Sequence, residues 1–434
     1  MSTFAITPKT GNMAIYLEST PGTGPADWDA SGSLVDHLSV DVAGLTQTVA
    51  KDGNVEDRIF ASGDRDMILG LKSGGTAKSS HYLTGHGQTI ADAASATETH
   101  LAKLLKLALC GEQITKTYTC SGGTATQPTL TAVTDLEEGD FLAFQDTTSP
   151  TTANSGICYI RRIINISGMT VDVDQALPFT PANGDLARST ITFYPDTAVL
   201  QDTSGTASST ASVKIEKGET TAAADKVWEM YGCVPTLSIS NLTRDSQAQV
   251  ELEWMCGKWL TYDDVTKTAW STAKSALTSV QPVTIGINTT VWVQTYGTTT
   301  SVCKPVNSFD VSVGIPRARI DTLTECTANL QGLAGYTSSN ADTTVKMGLA
   351  RLGDDWEGVL QGSTRKVVRI ACNRGPGYSW AIHFSRVQIM STPIDKDIAS
   401  NAGTEVTFRA GEDLDNSNAT TEDLWKAKIC IVIA

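Results

Sequence analysis

Residues Gly232 to Trp259 read GCVPTLSISNLTRDSQAQVELEWMCGKW. Leu237 and Ile239 alternate with Thr236, Ser238 and Ser240. After a polar turn around Asn241 to Ser246, Val250, Leu252, Trp254 and Cys256 alternate with Gln249, Glu251 and Glu253. Successive strand residues point to opposite faces, so a period of two with one polar set predicts an antiparallel hairpin with one dry and one wet face. The pattern recurs where Phe309, Val311, Val313 and Ile315 alternate with Ser308, Asp310, Ser312 and Gly314, and again at Val406 and Phe408 within Thr404 to Ala410. Together these stretches predict a sheet that packs one face on a core and turns the other to water.

Working outward, Met13 to Leu17 predicts a short strand in a loose opening segment. Leu34, Leu38, Val40 and Val42 predict a strand, and Asp66 to Lys72 another. The charged stretch Gly44 to Arg65 between them reads as a long loop, a length that is uncommon without a function. Thr97 to Cys110 is the clearest helix, with Leu101, Leu104, Leu105 and Ala108 on one face and Gly111 placed to end it in the left-handed conformation.

From about Ile114 to Ser212 the texture changes. Gly139-Asp140 and Gly184-Asp185 mark turns. Short strands are expected at Phe141 to Phe144, Cys158 to Ile164, Thr170 to Val173 and Thr190 to Tyr194. Flanks rich in Gly, Ser, Thr and Ala suggest a small inserted β-barrel or sandwich. The expected division is 1–113 and 213–434 for one main domain and 114–212 for the insert. Further on, Asp263 to Ala276 reads as a short helix, Val291 to Tyr296, Lys366 to Ala371 and Trp380 to Met390 as strands. Ile429 to Ile433 is apolar on both faces, which predicts a central strand buried on both sides.

The 434 residues carry a net charge of −14, which argues against a protein built to grip nucleic acid. No charged-then-apolar leader opens the sequence, and no run has the length of a membrane span. The nine cysteines form no CxxC pair and read as reduced thiols, mostly buried. Catalytic signatures are absent: there is no GxSxG, HExxH, Walker loop or dinucleotide fingerprint. His81, His86 and His100 match no common metal spacing. Asp413, Asp415 and Glu422 lack the turn glycine and twelfth-position glutamate of a calcium loop. Asp135, Glu137, Glu138 and Asp140 read as a solvated face. The expectation is a mainly β protein that is not an enzyme and needs no cofactor or metal.

Five features carry a family resemblance. They are the charged loop Gly44 to Arg65, the helix LAKLLKLALCG, the GCVPTLSIS hairpin running into VELEWMCGKW, SFDVSVGIPRARI followed by TVKMGLARLG, and the finish EVTFRA with DLWKAKICIVIA. Across about 300 residues the chain resembles the major tail tube proteins of long-tailed bacteriophages. The resemblance implies a tail-tube β-sandwich or split barrel flanked by an α-helix. It implies stacked rings, commonly hexameric, that form the virion's conduit for DNA ejection, with subunits made in the host cytoplasm. Implied partners are further copies of the chain, tail tip or baseplate and tail terminator proteins, a tape measure protein in the lumen, and DNA in passage without specific binding or any membrane.

Ser238, Ser240, Glu251, Glu253, Ser308, Asp310 and Ser312 would line the lumen, with hydroxyls and carboxylates that leave no basic residue to hold phosphate. Lys51, Asp52, Glu56, Asp57, Arg58, Asp64 and Arg65, of mixed sign, would pair with a neighbouring ring. A duplicated tube domain working as a trimer is the alternative to the hexamer. The sequence shows no convincing internal repeat, which favours six subunits. The rival readings are a head–tail connector or baseplate hub, a carbohydrate-binding β-protein, and a hydrolase.

Overall fold

The structure, a computed structural model, describes residues 11–19, 21–26, 28, 33–35, 39–43, 47–49, 69–72, 75–86, 100–196, 210–217, 225–240, 242–243, 246–264, 289–296, 301–313, 317–321, 333–338, 343–349, 356–391, 394–398, 401–412 and 427–434. The chain is mainly β, with a large antiparallel sheet system and a small closed barrel.

The first part of the chain forms β1 (Gly11–Leu17), β2 (Ser33–Val35), β3 (Ser39–Ala43), β4 (Gln47–Val49), β5 (Leu69–Lys72), β6 (Thr76–Tyr82), helix α1 (His100–Leu109) and β7 (Cys110–Ile114). The closed barrel follows: β8 (Tyr118–Gly123), β9 (Pro128–Leu130), β10 (Phe141–Gln145), β11 (Cys158–Ser167), β12 (Thr170–Val173) and β13 (Leu186–Arg188). The chain then returns through β14 (Ile191–Pro195), β15 (Ala211–Lys217), β16 (Asp225–Ser240), β17 (Gln249–Met255) and β18 (Lys258–Asp264). The last part contains β19 (Thr289–Thr295), β20 (Ser301–Cys303), β21 (Val306–Val313), β22 (Arg317–Asp321), β23 (Leu333–Ser338), β24 (Thr343–Leu349), helix α2 (Trp356–Gln361), β25 (Lys366–Cys372), β26 (Trp380–Ile389), β27 (Ile394–Ile398), β28 (Asn401–Ala410) and β29 (Cys430–Ile433).

The hairpin expected around Asn241 is the second half of a longer device. Strand β16 runs 16 residues and belongs to two sheets. Its first half pairs with β15 and β18, and its second half with β17 and, at Ile239 opposite Val311, with β21. The change of sheet comes at Gly232, whose φ of 60° suits glycine, beside a register shift opposite Ala211 and Val213. A buried carboxylate fixes this bend. Glu18, just past β1, accepts hydrogen bonds from Gly22 N (2.7 Å), Thr210 Oγ1 (2.9 Å), Ser212 Oγ (2.5 Å) and Gly232 N (2.9 Å). A buried charge is tolerated when its lone pairs are satisfied, as here.

The strand pairings reveal a repeat that the sequence reading did not find. In the first part, β1 pairs with β2 and β15, β15 with β16, β16 with β17 and β18, β17 with β6, β6 with β3, and β4 with β5. In the last part, β19 pairs with β20 and β25, β25 with β26, β26 with β28 and β29, β28 with β24, β24 with β21, and β22 with β23. Each pairing of the first set has its counterpart in the second, in the same chain order. The helices correspond too: α1 lies between β6 and β15, and α2 between β24 and β25. Register agrees as well, since Asp41 stands opposite Lys78 and Asp310 opposite Lys346, within Ser39-Val40-Asp41-Val42 and Ser308-Phe309-Asp310-Val311. The fully buried aromatics Trp254 and Phe408 occupy matching positions, opposite Ala77 and Val345. Strands β7 to β14 have no counterpart in the last part, where α2 is followed by β25.

One continuous core joins both units, and each helix closes it. Helix α1 packs its leucines against β7, β14 and β16. Helix α2 lies on β26 and sets Trp356 edge-on against Phe408 at 5.8 Å.

Several expectations change. The single strand over Leu34 to Val42 is two, β2 on β1 and β3 on β6. The stretch Gly44 to Arg65 is not strandless, because β4 pairs with β5 as a ribbon. Helix α1 ends on Cys110, which takes φ 68°, while Gly111 is held by close approach: a Cβ there would meet the Tyr194 ring at 2.6 Å. The strand expected at Thr190 to Tyr194 is β14, which pairs with β7 and β29 in the large sheet, not within the barrel. Asp263 and Asp264 finish strand β18, where a helix was expected; residues 265–276 lie outside the described set.

Glu18 generates a test of the bend. Replacing Glu18 with Ala leaves two buried backbone N–H groups and two hydroxyls without their acceptor, at a cost of at least about 3 kcal/mol. Chemical denaturation of Glu18→Ala against the parent chain measures this; an unchanged midpoint refutes the role.

Candidate assembly surface

The strand pairings place eight strands side by side in the order β3, β6, β17, β16, β21, β24, β28, β27, with β26 running into β27. The first four belong to one unit and the rest to the other. They meet where β16 crosses to β21, a junction strengthened by the bridge Thr243 to Ser308 and by Phe309 N donating to Leu242 O at 3.0 Å.

One face of this run is dry. Ala77, Leu237, Ile239, Val250, Leu252, Trp254, Phe309, Val311, Val345, Met347, Val406 and Phe408 are all buried in the common core. A polar network ties it down, with Trp254 Nε1 donating to Ser79 Oγ (2.9 Å) and His81 Nε2 lying 2.8 Å from the same hydroxyl. The histidine is therefore a core residue.

The opposite face carries the residues expected to be wet. Glu251, Glu253 and Asp310 are exposed, and Ser238, Ser240 and Ser308 half-buried. Ser240 Oγ donates to Glu251 Oε1 at 2.8 Å. Ser312 stands opposite Thr344 in β21, and its side chain lies outside the described set. The strand-by-strand reading left this face without a basic residue, and the structure corrects that. Lys78, Lys346 and Arg409 share it, because β6, β24 and β28 complete the same sheet. Both lysines are matched by a glutamate from the next strand: Lys78 to Glu253 at 3.5 Å and Lys346 to Glu405 at 3.0 Å. The two pairs differ in register, since Glu253 stands directly opposite Lys78 whereas Thr407 stands opposite Lys346 and Glu405 reaches it from two residues along β28; the exposed Lys78–Glu253 pair contributes only about 0–1 kcal/mol of stability.

The loop residues Lys51, Asp52, Glu56, Asp57, Arg58, Asp64 and Arg65 lie outside the described residues, as do Asp413, Asp415 and Glu422. Among the described residues no cluster of His, Cys, Asp or Glu has a metal-binding arrangement.

Away from this face, the closed barrel stacks on the outer side of β25, β26 and β29. Phe141, Ala143, Cys158 and Ile160 from the barrel pack against Ala371, Ala381, Cys430 and Val432. This second core explains why β29 is buried on both faces: Ile431 and Ile433 point into the common core, Cys430 and Val432 toward the barrel. A polar seam continues the contact. Arg369 pairs with Asp174 at 2.5 Å, Arg162 lies 3.0 Å from His383 Nε2, and Ile160 N donates to Asn373 Oδ1. Burial, with Arg162 and Arg369 nearby, holds His383 well below the usual histidine range, so it is neutral.

Asp140 is not on a solvated face but almost fully buried, its carboxylate accepting from Glu137 N as the Gly139 turn requires. The described cysteines carry free thiols. Burial pushes Cys158 and Cys430 up to about 12, and burial with Cys256 beside it raises Cys233 well above the ordinary thiol range.

No family model matches the chain, and no curated protein matches it.

The seam predicts a pH dependence. Burial raises Asp140 from 3.8 to about 6, against the opposing pull of Glu137 N and with Glu137 adding to the rise. Its contribution to stability is complete below 3.8 and is lost as pH rises through about 6, a difference of about 3 kcal/mol. Asp140→Asn keeps an acceptor for Glu137 N and removes the charge. Thermal unfolding should show the variant more stable than the parent at pH 8 and no more stable at pH 4. Equal melting at both would remove the assignment.

Proposed function

We propose that this chain is a ring-forming structural subunit whose stacked rings make the tail tube of a long-tailed bacteriophage, the conduit through which DNA leaves the virion. One observation carries the reading: among the described residues, an eight-stranded sheet, dry on one face and polar on the other, ends in two strands that each pair on one side only. A long uncovered sheet edge is an aggregation hazard unless another chain covers it, and closing edges into a barrel removes the hazard. The sheet's dry face is already filled by its own core, so a closed assembly puts the polar face on the bore or on the outside. The covering barrel sits on β25, β26 and β29, a different surface from the polar face of the eight strands. That fits a bore on the polar side and decoration on the other.

The charge pattern supports passage without adhesion. Lysines held by glutamates neutralise few phosphates and so displace few of the counterions condensed on DNA, and affinity for duplex DNA depends on that release. Replacing Glu253 and Glu405 by Gln together with Asp41 and Asp310 by Asn removes the carboxylates paired with or standing opposite both lysines. The variant should bind duplex DNA at low salt and lose it steeply as salt rises, while the parent chain binds little at any salt; equal binding by both contradicts the role.

Electron microscopy of the purified chain at rising concentration tests the assembly itself. Rings or hollow tubes are the expected result. Dispersed single chains throughout, also after addition of preformed tube ends as seeds, would overturn the proposal.

A further inference from the structure

The bend at Gly232 brings two thiols face to face. β16 pairs with β17 and with β18 in one register: Val234 stands opposite Met255, and Tyr231 opposite Lys258. Two residues on each side lie between those pairs, so Cys233 falls opposite Cys256. Both are fully buried and both belong to the common core, so their side chains lie on the same side of the hairpin. The second unit carries the matching pair without sulfur. Trp254 is two residues before Cys256 and stands opposite Pro235, as Phe408 is two before Ala410 and stands opposite Ile389. The places of Cys233 and Cys256 are thus taken by Val387 and Ala410, which stand directly opposite each other and are buried in the same core.

We infer that Cys233 and Cys256 are an oxidation site: they close a cross-strand disulfide that fastens the bend of β16 when the chain meets a mild oxidant of the peroxide class. Residues directly opposite in an antiparallel pair have Cα atoms about 4.5–5.5 Å apart, within the span of roughly 4.4–6.8 Å that a disulfide bridges. The pairing is specific. Among the described residues no other cysteine has a thiol across its ladder; Cys372 stands opposite Trp380, for example, and Cys430 opposite His383. The inference concerns the single chain and does not rest on the tube reading.

Two thiols and one peroxide give one disulfide and two waters. The thiolate sulfur of one cysteine attacks a peroxide oxygen, the O–O bond breaks, and the hydroxide that leaves takes up that thiol's proton. The second sulfur attacks the resulting sulfenic sulfur, the S–S bond forms, the S–O bond breaks, and water departs with the second thiol's proton. The sulfurs are oxidised and the peroxide is reduced. Burial, with Cys256 beside it and the Glu18 carboxylate nearby, raises Cys233 well above the ordinary thiol range, so its thiolate is scarce and closure is slow at neutral pH. Once made, the bond holds by covalency the bend that Glu18 holds by hydrogen bonds, and it removes freedom from the unfolded chain.

The test uses the folded wild-type chain, treated with hydrogen peroxide at pH 8 until the exposed Cys303 is fully oxidised. Remaining thiols are alkylated in denaturant before tryptic digestion without reductant. Cleavage after Lys226, Arg244 and Lys258 leaves each cysteine on its own peptide, 227–244 and 245–258. The expected product is those two peptides joined, lighter by two hydrogen atoms than their sum and separated again by reductant. The oxidised chain should unfold at a urea concentration higher by on the order of 0.5 M than the reduced chain, a shift absent between oxidised and reduced Cys256→Ala. Both cysteines recovered alkylated, either one joined mainly to a different cysteine, or an oxidised chain no more resistant to urea than the reduced one would each overturn the inference. If Cys256→Ala does not fold, the joined peptides and the midpoint shift of the wild-type chain decide.

Discussion

The fold depends on how one long strand changes sheets. β16 must leave its pairing with β15 and β18 and enter a new one with β17 and β21, and a backbone bending that sharply exposes N–H groups that neither ladder can satisfy. Glu18 supplies the acceptor. Its carboxylate gathers Gly22, Thr210, Ser212 and Gly232, drawing together parts of the chain up to 214 residues apart in sequence. Without that anchor the hairpin has no fixed angle to the rest of the unit, and the junction with β21, which starts only seven residues after the bend, has no fixed register. A buried carboxylate is costly, and its use here is to make one bend the only satisfied arrangement.

The second unit reaches the same topology with different means. β26 also serves two neighbours, β29 with its first half and β28 with its second, and a tight β27–β28 hairpin replaces the long polar turn of the first unit. The asymmetry is concentrated where the barrel stacks. Its weight falls on β25, β26 and β29 of the second unit, so His383, Arg369 and Ser379 are buried on a face that a two-layer sandwich would leave wet. Histidine is held neutral there, and that contribution to stability is present above its ordinary pKa of about 6.5 and lost as pH falls below it.

Much of this was legible in the sequence, and the reasons for what was not are physical. Period-two alternation marks a strand with one wet face, so Leu237, Ile239, Val250, Leu252 and Phe309 were placed correctly, and the all-apolar Ile429 to Ile433 announced a strand covered on both sides. Alternation carries no information about partners. Lys78 and Lys346 therefore went unplaced on the polar face until pairing put β6 and β24 beside the hairpins. Asp140 looked solvated because four acids lie within six residues, yet the turn at Gly139 folds only one of them inward. The repeat stayed hidden because it is a repeat of pairing, with little beyond Ser-x-Asp-Val at β3 and β21 surviving in residues. Glu18 gave no signal, since a single acid after a short strand reads as surface; a Glu followed by Gly-rich turns at the end of an apolar strand is the pattern to look for.

The proposed tube requires that the polar face of the eight-stranded run line a bore. A density map of the assembled chain by electron cryomicroscopy tests it most directly. Rings built as proposed carry the pairs Lys78–Glu253 and Lys346–Glu405 on the inner wall and the closed barrel on the outside. Those pairs on the outer surface, or buried between stacked rings, would rule the bore out.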